Sequence, residues 1–362
     1  DNLKMKKLII SKKLNRKLKL GSKLVGDGEK PFIIAEAGLN HNGDISLAKQ
    51  LIFEAKKSNC DAVKFQTFSA QKRISKEVKS VKYFEKADGQ REDIYEMFDR
   101  LSLSFNEFKI IFDYARKIGI EIFSTPFSLE DVDILEKLKV KFYKIASVDC
   151  VNLKLIEKIG KTNKPLILST GMSDLTIVED AIKAFKSTGN SNLVILHCLS
   201  SYPSNEKEMN LKVIKSLKEI YQVPVGLSDH YPGLEVSLIA LGIGANIIER
   251  HFTLDKNLEG PDHILSSTPN ELNVLNKFAN NLNEIIGDGQ KRIQPSEYYT
   301  VNTQRKCLYA KKNIIKGKII STSDIEIKGP AGGLLPKYYD IIVGKKARKS
   351  IKKDFPITWS LI

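Results

Sequence analysis

Residues Gly226–Phe252 read GLSDHYPGLEVSLIALGIGANIIERHF. One β-branched and apolar run, VPVGLSDH (223–230), ends on His230, and a second, NIIERHF (246–252), carries His251 at its end. The segment between them has a helical look and is set off by Pro-Gly and Gly-Ile-Gly punctuation. A strand, a helix and a second strand make one βα unit, because strands that run the same way need a long crossover between them. Two imidazoles at the ends of successive strands are either a metal site or two core histidines, and the rest of the chain has to decide.

The unit repeats. Short apolar runs with polar tails occur at FIIAEA (32–37), DAVKFQTF (61–68), IEIFSTPF (120–127), KFYKIAS (141–147), PLILSTGM (165–172) and LVILHC (193–198), ahead of the two already quoted. Segments of helical period lie between them, among them SLAKQLIFEAKKS, FNEFKIIFDYARKI and LEDVDILEKLK, and NELNVLNKFANNLNEIIG follows the last strand. Eight strands, each followed by a helix, predict an α/β fold of the (β/α)8 TIM-barrel type across residues 31–286. An open doubly wound sheet is the rival, but it calls for a glycine fingerprint after the first strand, and GLNHNGD (38–44) is not GxGxxG. The longest interruption, residues 69–103, falls in a loop at the C-terminal face, where insertions serve the substrate. Residues 1–30 form a leader whose end, KLVGDGEKP, predicts a hairpin capping the barrel's bottom. The polar stretch 287–304 reads as a linker and 305–362 as a small β-rich domain.

Of the 362 residues, 58 are Lys or Arg and 43 Asp or Glu, a net charge of +15. The excess sits at the two ends: residues 1–30 hold ten basic residues against three acids, residues 305–362 fourteen against four, and the middle is close to neutral. Such ends are read as solvated surface rather than as a nucleic-acid face, so no nucleic-acid partner is expected. The four cysteines form no CxxC, no run has the ~18 apolar residues of a membrane span, and no signal-peptide pattern is visible. The expectation is a reduced, cytoplasmic protein that does not enter a membrane.

On a barrel of this kind functional groups belong at the C-terminal ends of the strands. Those ends carry Glu36, Asn40 and His41; Lys64 and Gln66; Ser124 and Thr125; Lys144 and Ser147; Ser169 and Thr170; His197 and Ser200; Ser228, Asp229 and His230; and Glu249 and His251. All five histidines, including His263, lie at such ends or just beyond. Lys64 and Lys144 interrupt apolar runs, and a buried ammonium needs a partner. That partner is either an acid such as Glu36 or Asp149, or a phosphate or carboxylate ligand helped by the hydroxyls of Thr125, Ser147, Ser169 and Ser228. His230 and His251 suit a divalent cation with open coordination positions. Glu36 reads equally as ligand, base or sugar-hydroxyl acceptor.

FIIAEAGLNHNGD, VKFQTF, FSTPF, YKIAS, LSTGM, LHCLSSYPS, GLSDH, IERHFTLDK and GPDH, in this order, resemble the sialic acid synthase family from about Val25 onward. AKKNIIKGKIIS and GLLPKYYDIIVGKKA resemble the antifreeze-like (SAF) domain those enzymes carry. The resemblance implies condensation of phosphoenolpyruvate with an N-acetylmannosamine-type amino-sugar to a nine-carbon 2-keto acid and phosphate, in a domain-swapped homodimer. It implies catalytic roles for Glu36, His230 and His251. The metal ligands would be His230 and His251, for Mn2+ or else Mg2+ or Co2+. Phosphoenolpyruvate would meet Lys64, Thr125, Lys144, Ser147, Ser169 and Ser228, and the sugar Glu36, Gln66, Tyr202 and Asp262. No Ser or Cys nucleophile is needed, since the substrate's enol carbon attacks; the protein supplies alignment and charge stabilisation.

The chain departs from the family pattern in places. It reads KIASVD, with Asp149, where KIGSGE is usual, and Ser200 where an asparagine is usual. Lys328-Gly329-Pro330 replaces a KRPG-like stretch, so Gly329 occupies an arginine's position. These departures point to a 2,4-diacetamido-2,4,6-trideoxy hexose, as in legionaminic- or pseudaminic-type synthesis, as the alternative acceptor. A synthase of shorter keto acids would need more basic residues at the strand ends for a phosphorylated sugar. A non-enzymatic glycan-binding module would leave the buried Lys and His set without purpose.

Overall fold

The computed structural model describes residues 13–77 and 92–362, which divide after Gly287 into two compact units. Parts of the leader and of the 69–103 insertion therefore lie outside the described residues. The first unit opens on an antiparallel hairpin, β1 (Lys17–Leu20) and β2 (Lys23–Gly26). There follow β3 (Phe32–Gly38), β4 (Ala62–Thr67), β5 (Glu121–Pro126), β6 (Tyr143–Ile145), β7 (Leu166–Ser169), β8 (Leu193–Cys198), β9 (Val225–Asp229) and β10 (Ile247–His251), alternating with helices. All eight belong to one parallel sheet in the order β5-β4-β3-β10-β9-β8-β7-β6. Pairing of the first of these strands with the last is what closes a barrel. The one seam without a ladder, between β5 and β6, is bridged by Phe123 against Phe142, with ring centroids 4.4 Å apart.

Side chains of a strand point alternately to its two faces. Ile33, Ala35 and Ala37 of β3 therefore pack under the surrounding helices, while Phe32 and Ile34 point into the barrel. The interior floor consists of Phe32, Ile34, Phe123, Ile167, Val194, Leu196 and Ile247, and Leu18, Leu20 and Val25 of the hairpin plug it from below. The next inward positions up the strands are the polar ones. The ladders set them side by side: Glu36 opposite Lys64, His251 opposite Glu36 and Glu249 opposite Ser228. Gly226 faces inward on β9, where a Cβ would lie 2.2 Å from the Ile247 carbonyl oxygen. Only glycine permits β9 and β10 to approach that closely.

The helices start and stop where local chemistry requires. Phe105–Ile118 opens on a reciprocal Ser104–Glu107 cap and ends at Gly119, whose φ of 75° a residue with a side chain would resist. Helix Pro269–Ile286 opens on the same device, Thr268 with Glu271, and has Pro269 in its first turn.

The second unit differs in detail from the expectation. Residues read as linker contain a short helix, Tyr298–Gln304. The ladder is one antiparallel pair, β11 (Cys307–Ala310) with β12 (Ile325–Lys328), supplemented by isolated bridges such as Ile314 with Ile351. The Lys-Gly-Pro and Ala-Gly-Gly turns at 328–333 keep the strands short. Leu308, Ile314, Ile320, Ile325, Ile342, Ile351 and Ile357 form the core. Beneath them the Asp324 carboxylate accepts from the backbone N–H and hydroxyl of Ser321, each at 2.8 Å. It also pairs with Lys318 at 2.6 Å and Lys312 at 3.2 Å. Burial alone would raise this carboxyl, but these partners hold it well below the usual carboxylate range.

A depressed folded-state pKa stabilises above the unfolded value and is lost as the pH falls through the carboxylate range. Trp359, the sole tryptophan, lies in this unit and reports its unfolding. Urea titrations followed by its fluorescence should show stability falling below about pH 4. Asp324→Asn should lose about 1–3 kcal/mol at neutral pH and flatten that dependence.

Candidate active site

The inward polar side chains converge on a cleft of about 360 Å³ at the C-terminal mouth of the barrel, lined among others by Lys64, Lys144, Glu36, Glu249, His230 and His251. Lys64 pairs with Glu36 at 2.7 Å and lies 3.5 Å from Glu249, and its ammonium donates to Thr125 Oγ1 at 3.1 Å. Lys144 lies 3.7 Å from the same Glu249 oxygen and donates to Ser169 Oγ at 2.5 Å and to the Ile145 carbonyl at 3.0 Å. All four charged residues are at most 5% exposed. Glu249 is thus shared by two ammonium groups. They outweigh the upward push of burial and hold its carboxyl below the usual range. Glu36 goes the other way: burial dominates and raises it, with Lys64 opposing. Burial also lowers Lys144, whereas Lys64, against the same burial, is raised by Glu249 and Glu36.

The two histidines meet in the same cleft, their ring centroids 5.3 Å apart. His230 Nδ1 lies 2.9 Å from the Leu199 carbonyl oxygen. A carbonyl only accepts, so Nδ1 carries a hydrogen, and whenever the ring is neutral Nε2 keeps its lone pair. Burial above all lowers the His251 imidazole well below its usual range, and a proton on His230 and the Lys64 ammonium add to that. Its Nδ1 has no hydrogen-bond partner and lies 3.5 Å from Asp262 Oδ2. Burial raises the Asp262 carboxyl to about 6. The Tyr202 ring packs on His230, with centroids 4.2 Å apart.

Eleven of the twelve residues expected from the sequence line this cleft: Glu36, Lys64, Gln66, Thr125, Lys144, Ser147, Ser169, Tyr202, Ser228, His230 and His251. Asp262 is joined to it through His251. The acid that pairs with Lys64 is Glu36, while Asp149 bonds instead to Asn152 at 3.0 Å. Three histidines grouped with the site are elsewhere. His197 points outward, 2.7 Å from the Met209 carbonyl oxygen; His263 bonds to Thr253 Oγ1 at 2.7 Å; and His41 is buried beside Phe65. Glu249 and Cys198 line the cleft without having been assigned a role. The period of two that turns His251 inward turns Glu249 inward as well, so its signal was present. In the second unit Lys328, beside Gly329, pairs with Glu326 at 2.7 Å and with Asp354.

The NeuB family model matches residues 51–291 and the SAF domain model residues 305–362. This chain belongs to the NeuB family. It is 43% identical over 328 residues to the N,N'-diacetyllegionaminic acid synthase of Campylobacter jejuni, covering 90% of this chain and 98% of that protein. It is 38% identical over 352 residues to the enzyme of the same name from Legionella pneumophila, covering 96% and 99%. Among solved structures, the N-acetylneuraminic acid synthetase from Leptospira borgpetersenii serovar Hardjo-bovis, in complex with citrate, superimposes with a TM-score of 0.70 at 34% identity. That match covers 80% of this chain and 96% of the other. Like its relatives the NeuB-family chain is an enzyme, a carbohydrate-biosynthetic transferase. No helix among the described residues is long and apolar enough to cross a membrane.

The shared carboxylate gives a stability test. Glu249→Gln leaves the buried Lys144 ammonium without a carboxylate and Lys64 with Glu36 alone, and should cost about 3–5 kcal/mol in urea unfolding. Adding Lys144→Met to that variant should recover part of the loss, since the least compensated charge is then gone.

Proposed function

We propose that this NeuB-family enzyme condenses phosphoenolpyruvate with a 2,4-diacetamido-2,4,6-trideoxy hexose to a nine-carbon 2-keto acid of the legionaminic type, releasing phosphate. The observation that carries the reading is the row Lys64–Glu249–Lys144, fringed by hydroxyls, beside Glu36 and Gln66 in one cleft. The choice of acceptor over N-acetylmannosamine is supported by the likeness to the two legionaminic acid synthases and by Gly329 at the usual arginine position.

In this reading Lys64 and Lys144 hold the carboxylate and phosphate of phosphoenolpyruvate, with Thr125, Ser147, Ser169 and Ser228 donating to its oxygens. The enol carbon forms the new bond to the sugar's aldehyde carbon, whose oxygen takes up a proton. Water adds at the phosphate-bearing carbon and gives up a proton, and the C–O bond to phosphate then breaks as the new hydroxyl loses its own proton to leave the ketone. Glu36, its carboxyl pushed upward by burial against the pull of Lys64, stands beside the acceptor where a proton must be given or taken, and Gln66 orients it. The Nε2 of His230 and the neutral His251 suit a divalent cation, Mn2+ first and Mg2+ or Co2+ as alternatives. Held by these two imidazoles, such a cation would have positions left for substrate and water. Such a cation supplies Lewis-acid polarisation of the aldehyde. The family resemblance also supports a cytoplasmic homodimer.

Phosphate release from phosphoenolpyruvate with Mn2+, compared between the diacetamido sugar and N-acetylmannosamine, tests the proposal. Faster turnover of the diacetamido sugar is expected, and preference for N-acetylmannosamine would overturn the choice of acceptor. His230→Ala and His251→Ala should each weaken Mn2+ binding measured by titration calorimetry, and unchanged affinity in both would remove the metal site.

A further inference from the structure

Arg73 ends the short helix Ala70–Arg73 after β4, outside the barrel strands. Its guanidinium lies over three phenylalanine rings, 3.8 Å from the centroid of Phe127, 3.9 Å from Phe98 and 4.5 Å from Phe68. The rings brace one another edge to face, Phe68 with Phe98 at 5.4 Å and with Phe127 at 6.0 Å. Held in this cage, Arg73 Nη1 donates to Gln66 Oε1 at 3.0 Å, and Gln66 Nε2 donates to Glu36 Oε1 at 3.1 Å.

The chemistry of the middle residue makes this chain directional. A carboxamide has one accepting end and one donating end, and guanidinium only donates. With its oxygen turned to Arg73, the amide must present its NH2 to the Glu36 carboxylate; flipped, it would set oxygen against oxygen there and NH2 against guanidinium. We infer that Arg73 is a positioning residue for the acceptor half of the cleft, fixing the orientation of the Gln66 amide and, through it, the carboxylate of Glu36. The inference rests on the reading of that half as the sugar site.

Two further observations agree. Phe98 comes from helix Ile94–Leu101 and Phe127 directly follows β5, so the cage couples the long β4–β5 insertion to the cleft. Arg73 also opposes the burial-driven rise of Asp262, after His230, and that of Asp149, after Asn152, which places its charge near both carboxylates.

Steady-state kinetics of wild type, Arg73→Met and Arg73→Lys, with each substrate varied in turn, test the inference. Arg73→Met should lower kcat/KM for the sugar about 10- to 100-fold while the KM for phosphoenolpyruvate stays put. Arg73→Lys keeps a donor over the rings and should recover part of the loss, and it reports on the role even where the methionine variant folds poorly. In a Gln66→Leu background Arg73→Met should add almost nothing. Equal changes for both substrates, or full additivity with Gln66→Leu, overturn the inference while leaving the functional reading intact. A folded wild type inactive on both sugars overturns that reading and this inference with it.

Discussion

Two ammonium groups and two carboxylates share the mouth of the barrel with almost no access to water. Each ion costs several kcal/mol to bury, and attraction offsets that only when remaining donors and acceptors are also satisfied. The surroundings meet this condition unevenly. Thr125 and Ser169 accept hydrogen bonds from the lysines, whereas Glu249 Oε2 accepts none. The cluster is electrically balanced but incompletely bonded, and burial pushes Glu36 and, of the two lysines, Lys144 toward the neutral form. An anionic substrate arriving beside it restores what burial removed. A cluster built purely for stability would be better replaced by apolar side chains, so the incomplete bonding is itself an argument for a ligand.

The rest of the first unit follows from keeping those charges in place. The apolar floor, plugged by the hairpin, closes the barrel from below, so the charges face only the mouth. A strict two-residue alternation lets one short strand bury Ile33 and Ala35 under helices while turning Ile34 and Glu36 inward. A register slip of one residue would send the whole polar set into the helix layer, where nothing could pair with it. The heavily buried helix layer and the polar mouth therefore specify the same register.

This explains what the sequence revealed and what it did not. Eight apolar runs were legible because parallel strands buried on both faces read as continuous hydrophobic stretches. Lys64 and Lys144 stood out because they broke such runs. The order of motifs, through the family resemblance, assigned roles that position alone left open. Strand-end position says nothing of face, however, and that is where His197 misleads: it precedes the inward Cys198 by one residue and so points out. The second unit was harder to read because Gly and Pro leave it short bridges rather than ladders. Arg73 carried no local signal at all. Its rings come from Phe68, Phe98 and Phe127, and only the folded chain assembles them.

The matched placement of His230 and His251 has a further physical basis behind the strands. Each is preceded by a residue that alternation must send outward, Asp229 and Arg250, and these two form a buried ion pair at 2.5 Å. Ser237 donates to Asp229, while Arg250 donates to Ser267 Oγ at 2.6 Å and to the Tyr231 carbonyl at 2.8 Å. The same ladder register that opposes Asp229 to Arg250 sets the two imidazoles at neighbouring heights on the inner face. A charge pair with its hydrogen bonds this fully satisfied tolerates little shear between β9 and β10, because sliding one strand would leave a guanidinium or a carboxylate buried alone. The stability of the outer pair thus becomes precision in the inner one: the histidines are held at 5.3 Å by a bond neither of them makes.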